Sequence, residues 1–223
     1  MKKPVTYLGD WFFYLIVVLS AVTFLWVVIS PMKYFVGSEI KRMFQNKGEI
    51  RALNEYDRLF VQNNITRETF SPQIIIRKKS RELTVYSSDK TIKTYSIGLG
   101  RNPTKKKEKF DDQKTPEGNY YICKKIPDHR FHLMLQINYP SIDDARRGVV
   151  NHVISTADEI RINQADLEKM DPPADTKLGG SIGIHGYGSE SNWTKDGSIA
   201  LNNNDVEEIY WNIATGCPVI ILP

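Results

Sequence analysis

His185 and Ser198 stand 13 positions apart in the run SIGIHGYGSESNWTKDGSIAL, Ser181 to Leu201, and each has a glycine beside it. An imidazole can take a proton from a hydroxyl, and a hydroxyl so relieved can attack a carbonyl. The pair therefore has the makings of acyl-transfer chemistry. Glycine at Gly186 and Gly197 lets a backbone carbonyl or N–H approach a substrate where a side chain would obstruct it.

Several elements must hold these two groups. Ile182 and Ile184 give the histidine an apolar strand-like lead. After the serine, Asn204 can cap a helix, with Glu207 completing a capping box and Val206, Ile209, Tyr210 and Ile213 forming its apolar face. Gly216 ends that helix, and the run from Pro218 to Leu222 reads as a buried strand. Upstream, the apolar run Ile74–Ile76, the segment Leu83–Tyr86 and a longer strand carrying Tyr95, Ile97 and Leu99 are separated by polar turns, which predicts an antiparallel meander. Thr115-Pro116-Glu117-Gly118 is a turn opening into the strand Asn119–Ile122. Asp158 to Met170 is partly helical and is stopped by Asp171-Pro172-Pro173, either as a lid or as an inert insertion. The expected class is mainly β with a few helices. His132, beside a strand with no partner motif, reads as a structural histidine.

The 223 residues leave room for one domain and an appendage. A net charge of +4 with no basic face excludes nucleic acid as a partner. Two cysteines, Cys123 and Cys217, and four scattered histidines offer no metal-ligand spacing, so neither metal nor cofactor is expected. Trp11 to Ile29 is 19 residues without a charge, long enough at 1.5 Å per residue to approach the ~30 Å hydrocarbon core. The expected organisation is a cytoplasmic tail (1–10), a transmembrane anchor (11–30), a juxtamembrane helical stalk (31–71) and a domain (72–223). Lys2 and Lys3 before the span balance Lys33, Lys41 and Arg42 after it, so charge gives no orientation. Apolar residues at mostly helical spacing across 38–62, broken at Lys47-Gly48, make a stripe that rests on the domain or membrane or pairs with another envelope protein.

Residues 74–223 resemble the L,D-transpeptidases of the YkuD type, bacterial enzymes that crosslink peptidoglycan through a cysteine. The likeness rests on Ile184-His185-Gly186, on Thr115-Pro116-Glu117-Gly118 after Asp112, and on Asn138-Tyr139-Pro140. Trp193-Thr194, Gly197 and Ile199-Ala200-Leu201 fit the Trp-Thr-x-Gly-Cys branch. Three departures stand out: Ser198 holds the cysteine position, Lys195-Asp196 is one residue longer than the usual spacer, and Pro103 to Lys107 lacks the usual glycine. The resemblance implies a β-sandwich domain outside the cytoplasmic membrane, in the periplasm, binding peptidoglycan stem peptides. It implies His185 as base, the Gly186 carbonyl as its orienter, Ser198 as nucleophile, and the amides of Gly197 and Ser198 as oxyanion donors. Trp193, Thr194, Tyr139 and Tyr187 would bind substrate.

A cysteine with a pKa of about 8.5 becomes a stored thiolate beside an imidazolium. A serine hydroxyl does not, and needs its base held by a carboxylate. Asp196 is near enough in sequence to supply one, or is a solvated loop residue. Three readings stay open: a catalytically weak or inactive wall-binding module, which the altered loop favours; an acyl-transfer enzyme, transpeptidase or L,D-carboxypeptidase, using Ser198 and His185; and an active cysteine enzyme whose nucleophile has been exchanged for serine.

Overall fold

A computed structural model describes residues 8–223, with side chains given at only a few positions before residue 36. The first element is the helix α1, Leu8–Asn63. The expected tail 1–10 falls mostly outside the described residues. So do most side chains of the expected anchor 11–30, whose backbone is helical. Among the described residues no helix is long and apolar enough to cross a membrane.

The chain divides into two compact units between Lys47 and Gly48. In the second, Gly48 is helical. A Cβ at Gly48 would come within 2.6 Å of a Glu207 carboxylate oxygen, so the glycine permits a close approach. Ala52, Tyr56 and Phe60, spaced at i, i+4 and i+8, are buried, whereas Ile50 is exposed. The end of the expected stalk is thus part of the domain's core, with Phe60 against Phe70 at 4.8 Å between ring centroids.

The remaining elements are β1 (Pro72–Arg77), β2 (Glu82–Ser87), β3 (Lys90–Ser96), β4 (Gly118–His129), β5 (His132–Ile137), α2 (Ile142–Val150), α3 (Thr156–Leu167), β6 (Gly183–His185), β7 (Ile199–Ala200), α4 (Asn203–Asn212) and β8 (Pro218–Leu222). The eight strands form one mixed sheet in the order β3-β2-β1-β8-β4-β5-β6-β7. The expected meander is β1-β2-β3, paired antiparallel. The C-terminal β8 lies in the sheet's interior, parallel to β1 and antiparallel to β4, which explains its run of apolar residues. The main core includes Ile74, Ile76, Val85, Leu99, Ile122, Leu135, Val206, Ile209 and Ile221. A smaller core of Ala145, Ile154, Ile162 and Leu178 lies with α2 and α3. Both helices start with a capping box, Ser141 with Asp144 and Ser155 with Asp158.

One expected cap is corrected. The N-cap of α4 is Asn202, without a side-chain cap bond, and Asn204 lies inside the helix. Glu207 is drawn away instead, to His132 Nε2 at 2.7 Å and to Arg51 at 2.9 Å.

Candidate functional site

The parallel pairing of β6 with β7 places His185 opposite Ala200. Ser198 stands one residue before β7. It lies beside Gly183, whose N–H donates to Ser198 Oγ at 3.3 Å.

His185 is 1% exposed, and its Nδ1 lies 2.8 Å from the Gly186 carbonyl oxygen. A carbonyl only accepts, so Nδ1 carries the proton and Nε2 presents the lone pair. Nε2 has no hydrogen-bond partner among the described residues. Burial holds the His185 pKa below the ordinary histidine value, against the Gly186 carbonyl, which raises it. The residue is a neutral base in an aromatic enclosure, with Phe131 stacked on it at 4.8 Å and Trp193 edge-on at 5.4 Å.

Ser198 is fully buried and turned to a different partner. Its hydroxyl donates to Asp196 Oδ2 at 3.0 Å and its amide to Asp196 Oδ1 at 3.0 Å. The nucleophile position and the amide expected to hold an oxyanion are both held by one carboxylate. The Asp196 side chain is in the site, not merely near it in sequence.

Gly197 has φ +98°, and a Cβ there would lie 1.9 Å from the Lys114 carbonyl oxygen. The loop bearing Ser198 is thus packed directly on the turn that leads into Thr115-Pro116-Glu117-Gly118. Thr115 Oγ1 accepts from the Gly100 amide at 3.0 Å, tying that turn to the end of the meander. Thr194 is buried and donates to the Ser198 carbonyl at 2.8 Å, so it staples the loop. Trp193 Nε1 donates to Gly188 O at 3.1 Å, closing the polar loop between histidine and serine. Tyr187 is 61% exposed at φ +75°, its N–H held by Asn203 Oδ1 at 2.9 Å. Its ring stands perpendicular to Phe131 at 6.2 Å, at the open side of the aromatic group.

Tyr139 is the exception. It is fully buried, donates to the Leu178 carbonyl at 3.2 Å, and is not brought to His185 or Ser198 by any contact among the described residues. Sequence reasoning missed Phe131, His129 and Arg130. These sit at the β4–β5 hairpin, with His129 5.7 Å from His185 and the Arg130 guanidinium 4.6 Å above Phe131. No local signal marks them, because β5 pairs with β6 and only that register brings the hairpin to the histidine. Among the described residues no group of three or more His, Cys, Asp or Glu could hold a metal.

A family profile for the L,D-transpeptidase catalytic domain (YkuD) matches residues 71–221. A search of curated proteins found no match. Solved structures similar to this chain include Bd1075 of Bdellovibrio bacteriovorus, at 20% identity and TM-score 0.46, covering 70% of this chain and 49% of that one. The helical cell shape determining protein Pgp2 of Campylobacter jejuni is 21% identical with TM-score 0.48, covering 68% and 47%. An L,D-transpeptidase from Mycobacterium smegmatis is 12% identical with TM-score 0.42, covering 69% and 59%. The chain thus spans about half to three-fifths of the length of these structures.

Proposed function

The chain belongs to the L,D-transpeptidase catalytic domain family, and from that premise we propose that it is a membrane-anchored protein that binds peptidoglycan stem peptides and turns them over weakly or not at all. On this reading the span 11–30 crosses the inner membrane once, the domain stands in the periplasm, and the role is wall binding within an envelope complex. One observation carries it: Asp196 accepts both the hydroxyl and the amide of Ser198. A substrate carbonyl needs that amide for its developing negative charge, and a carboxylate already sitting there repels it. Nor does His185 Nε2 reach Ser198 by a hydrogen bond among the described residues.

The second reading, acyl transfer by Ser198 and His185, is favoured by the intact His185–Gly186 contact and the neutral imidazole. A cysteine enzyme with its nucleophile exchanged for serine shares the same groove. The three are separated by incubating the full chain, its Ser198→Cys form and a Ser198→Cys/Asp196→Ala form with tetrapeptide-containing muropeptides, and weighing the products. The proposed reading expects no crosslinked or trimmed product from the native chain, but retention on purified sacculi that Trp193→Ala and Tyr187→Ala weaken. Turnover by the native chain would reject it in favour of the serine enzyme. Turnover by Ser198→Cys alone would favour the exchanged nucleophile.

A further inference from the structure

Between the 105–108 loop and α2 lies a cavity of about 70 Å³, whose lining includes Lys106, Tyr139, Asp144, Arg147 and Asn151. One water needs roughly 10–15 Å³ by this measure, so there is room for a few waters or one small oxyanion. The residues holding Ser198 and His185 do not line it.

The charges around the cavity pair off with one left over. Lys107 is matched by Asp112 at 2.9 Å, Glu108 by Lys114 at 3.1 Å, and Asp144 by Arg147. The Lys106 ammonium has no hydrogen bond or ion pair among the described residues. Arg147 uses one N–H on Asp144 and keeps further donors in its fork. Asn151, exposed at the end of α2, makes no side-chain hydrogen bond to the described residues. The Lys106 ammonium and the free donors of the Arg147 guanidinium face the cavity's space, and charge-assisted bonds to an oxyanion are the strong form of contact for such groups.

We propose that this cavity binds a small oxyanion, a carboxylate or a phosphate, with Lys106 as its principal donor and Arg147 and Asn151 completing the set. Burial, reinforced by the neighbouring Arg147, holds the Lys106 amine below the ordinary lysine value, and a bound anion reverses that cost. The proposal does not depend on the stem-peptide reading. It gives a place to Tyr139, whose ring helps wall the cavity.

The test is calorimetric titration of the full chain at constant ionic strength, with inorganic phosphate in one arm and N-acetyl-D-alanine in the other. Saturable binding of at least one probe is expected, weakened at least tenfold by Lys106→Met and unchanged by Lys105→Met on the exposed neighbour. Binding confined to phosphate assigns a phosphate site, and binding of the acylated amino acid assigns a peptide carboxylate site. Absence of saturable binding in both arms, or equal binding by Lys106→Met, overturns the proposal. Should Lys106→Met fail to fold, the ¹³C-methyl resonance of Lys106 in the reductively methylated chain decides, identified by its loss in Lys106→Arg. It must move on saturation with the probe, and a stationary resonance overturns the site.

Discussion

The ring of Phe131 lies on the imidazole of His185, centroids 4.8 Å apart and planes 29° from parallel. With Trp193 against the edge, the histidine is walled by carbon, and burial is the main cause that keeps it neutral. The unfolded chain therefore binds more protons than the folded one as pH falls through the ordinary value of 6.5. Stability is lost on acidification through that region and recovered above it, and His129, lowered by the same cause, acts in the same direction. Histidine NMR should place the His185 titration below 6.5. Urea midpoints should fall from pH 7 to 5.5 in the native chain and fall less in His185→Gln. A His185 titrating at or above the ordinary value would contradict this account.

Asp196 makes a prediction about sulfur. In a Ser198→Cys form the thiol takes a seat beside a carboxylate, and like charge disfavours the thiolate. Alkylation by iodoacetamide at neutral pH should be slow, and Asp196→Asn added to Ser198→Cys should speed it by about tenfold, the worth of one pKa unit. The background is low, because burial pushes Cys123 and Cys217 each up to about 12. Equal labelling rates with and without Asp196 would mean that the carboxylate does not restrain the site.

The elements whose residues lie together in sequence were legible. The meander, the apolar face of α4 and the terminal strand all carry short-range apolar patterns, and Gly186 sits next to the histidine it orients. What was hidden is set by long-range register. The insertion of β8 between β1 and β4, and the delivery of Phe131 to His185 by β5–β6 pairing, leave no local signal. The cap of α4 shows another limit: Glu207 has the spacing of a capping box, but the Arg51 guanidinium offers it a charged partner and His132 a ring nitrogen, which a backbone N–H does not outweigh. Helix α2 went unread although the capping box Ser141-x-x-Asp144, directly after Pro140, marks its start.

Two glycines with left-handed backbones separate conformational strain from collision. Gly216 has φ +88° and nothing within 4 Å of an added Cβ, so Gly216→Ala should cost roughly 1–3 kcal/mol from the backbone alone. Gly197 adds an obstacle, the Lys114 carbonyl at 1.9 Å, which is backbone and cannot rotate away. Gly197→Ala should therefore be the more destabilising by urea unfolding. It should also shift the amide resonances of Lys114 and Thr115, whereas Gly216→Ala should leave them in place. Equal costs would show that the nucleophile loop can lift off the 113–115 turn.

The end of α1 sets where the folded domain begins. Tyr56 is fully buried, its hydroxyl 3.2 Å from that of Tyr95, which donates to Glu208 at 3.0 Å, and Glu208 also takes Lys93 at 2.7 Å and Arg51 at 3.2 Å. Tyr56 and Phe60 together bury roughly 3–6 kcal/mol of apolar stabilisation, against a typical total of about 5–15 kcal/mol for a domain. A chain starting at residue 48 should therefore unfold cooperatively, whereas one starting at residue 72 should have a markedly lower midpoint or fail to fold, with Glu208 left buried without Arg51. Tyr56→Ala should cost roughly 3–5 kcal/mol, and Tyr56→Phe, which keeps the ring and removes one hydroxyl, about 0.5–1.5 kcal/mol. Thermal melts of the two shortened chains and the two variants check this. Indistinguishable midpoints for the chains starting at 48 and 72 would place α1 outside the cooperative unit.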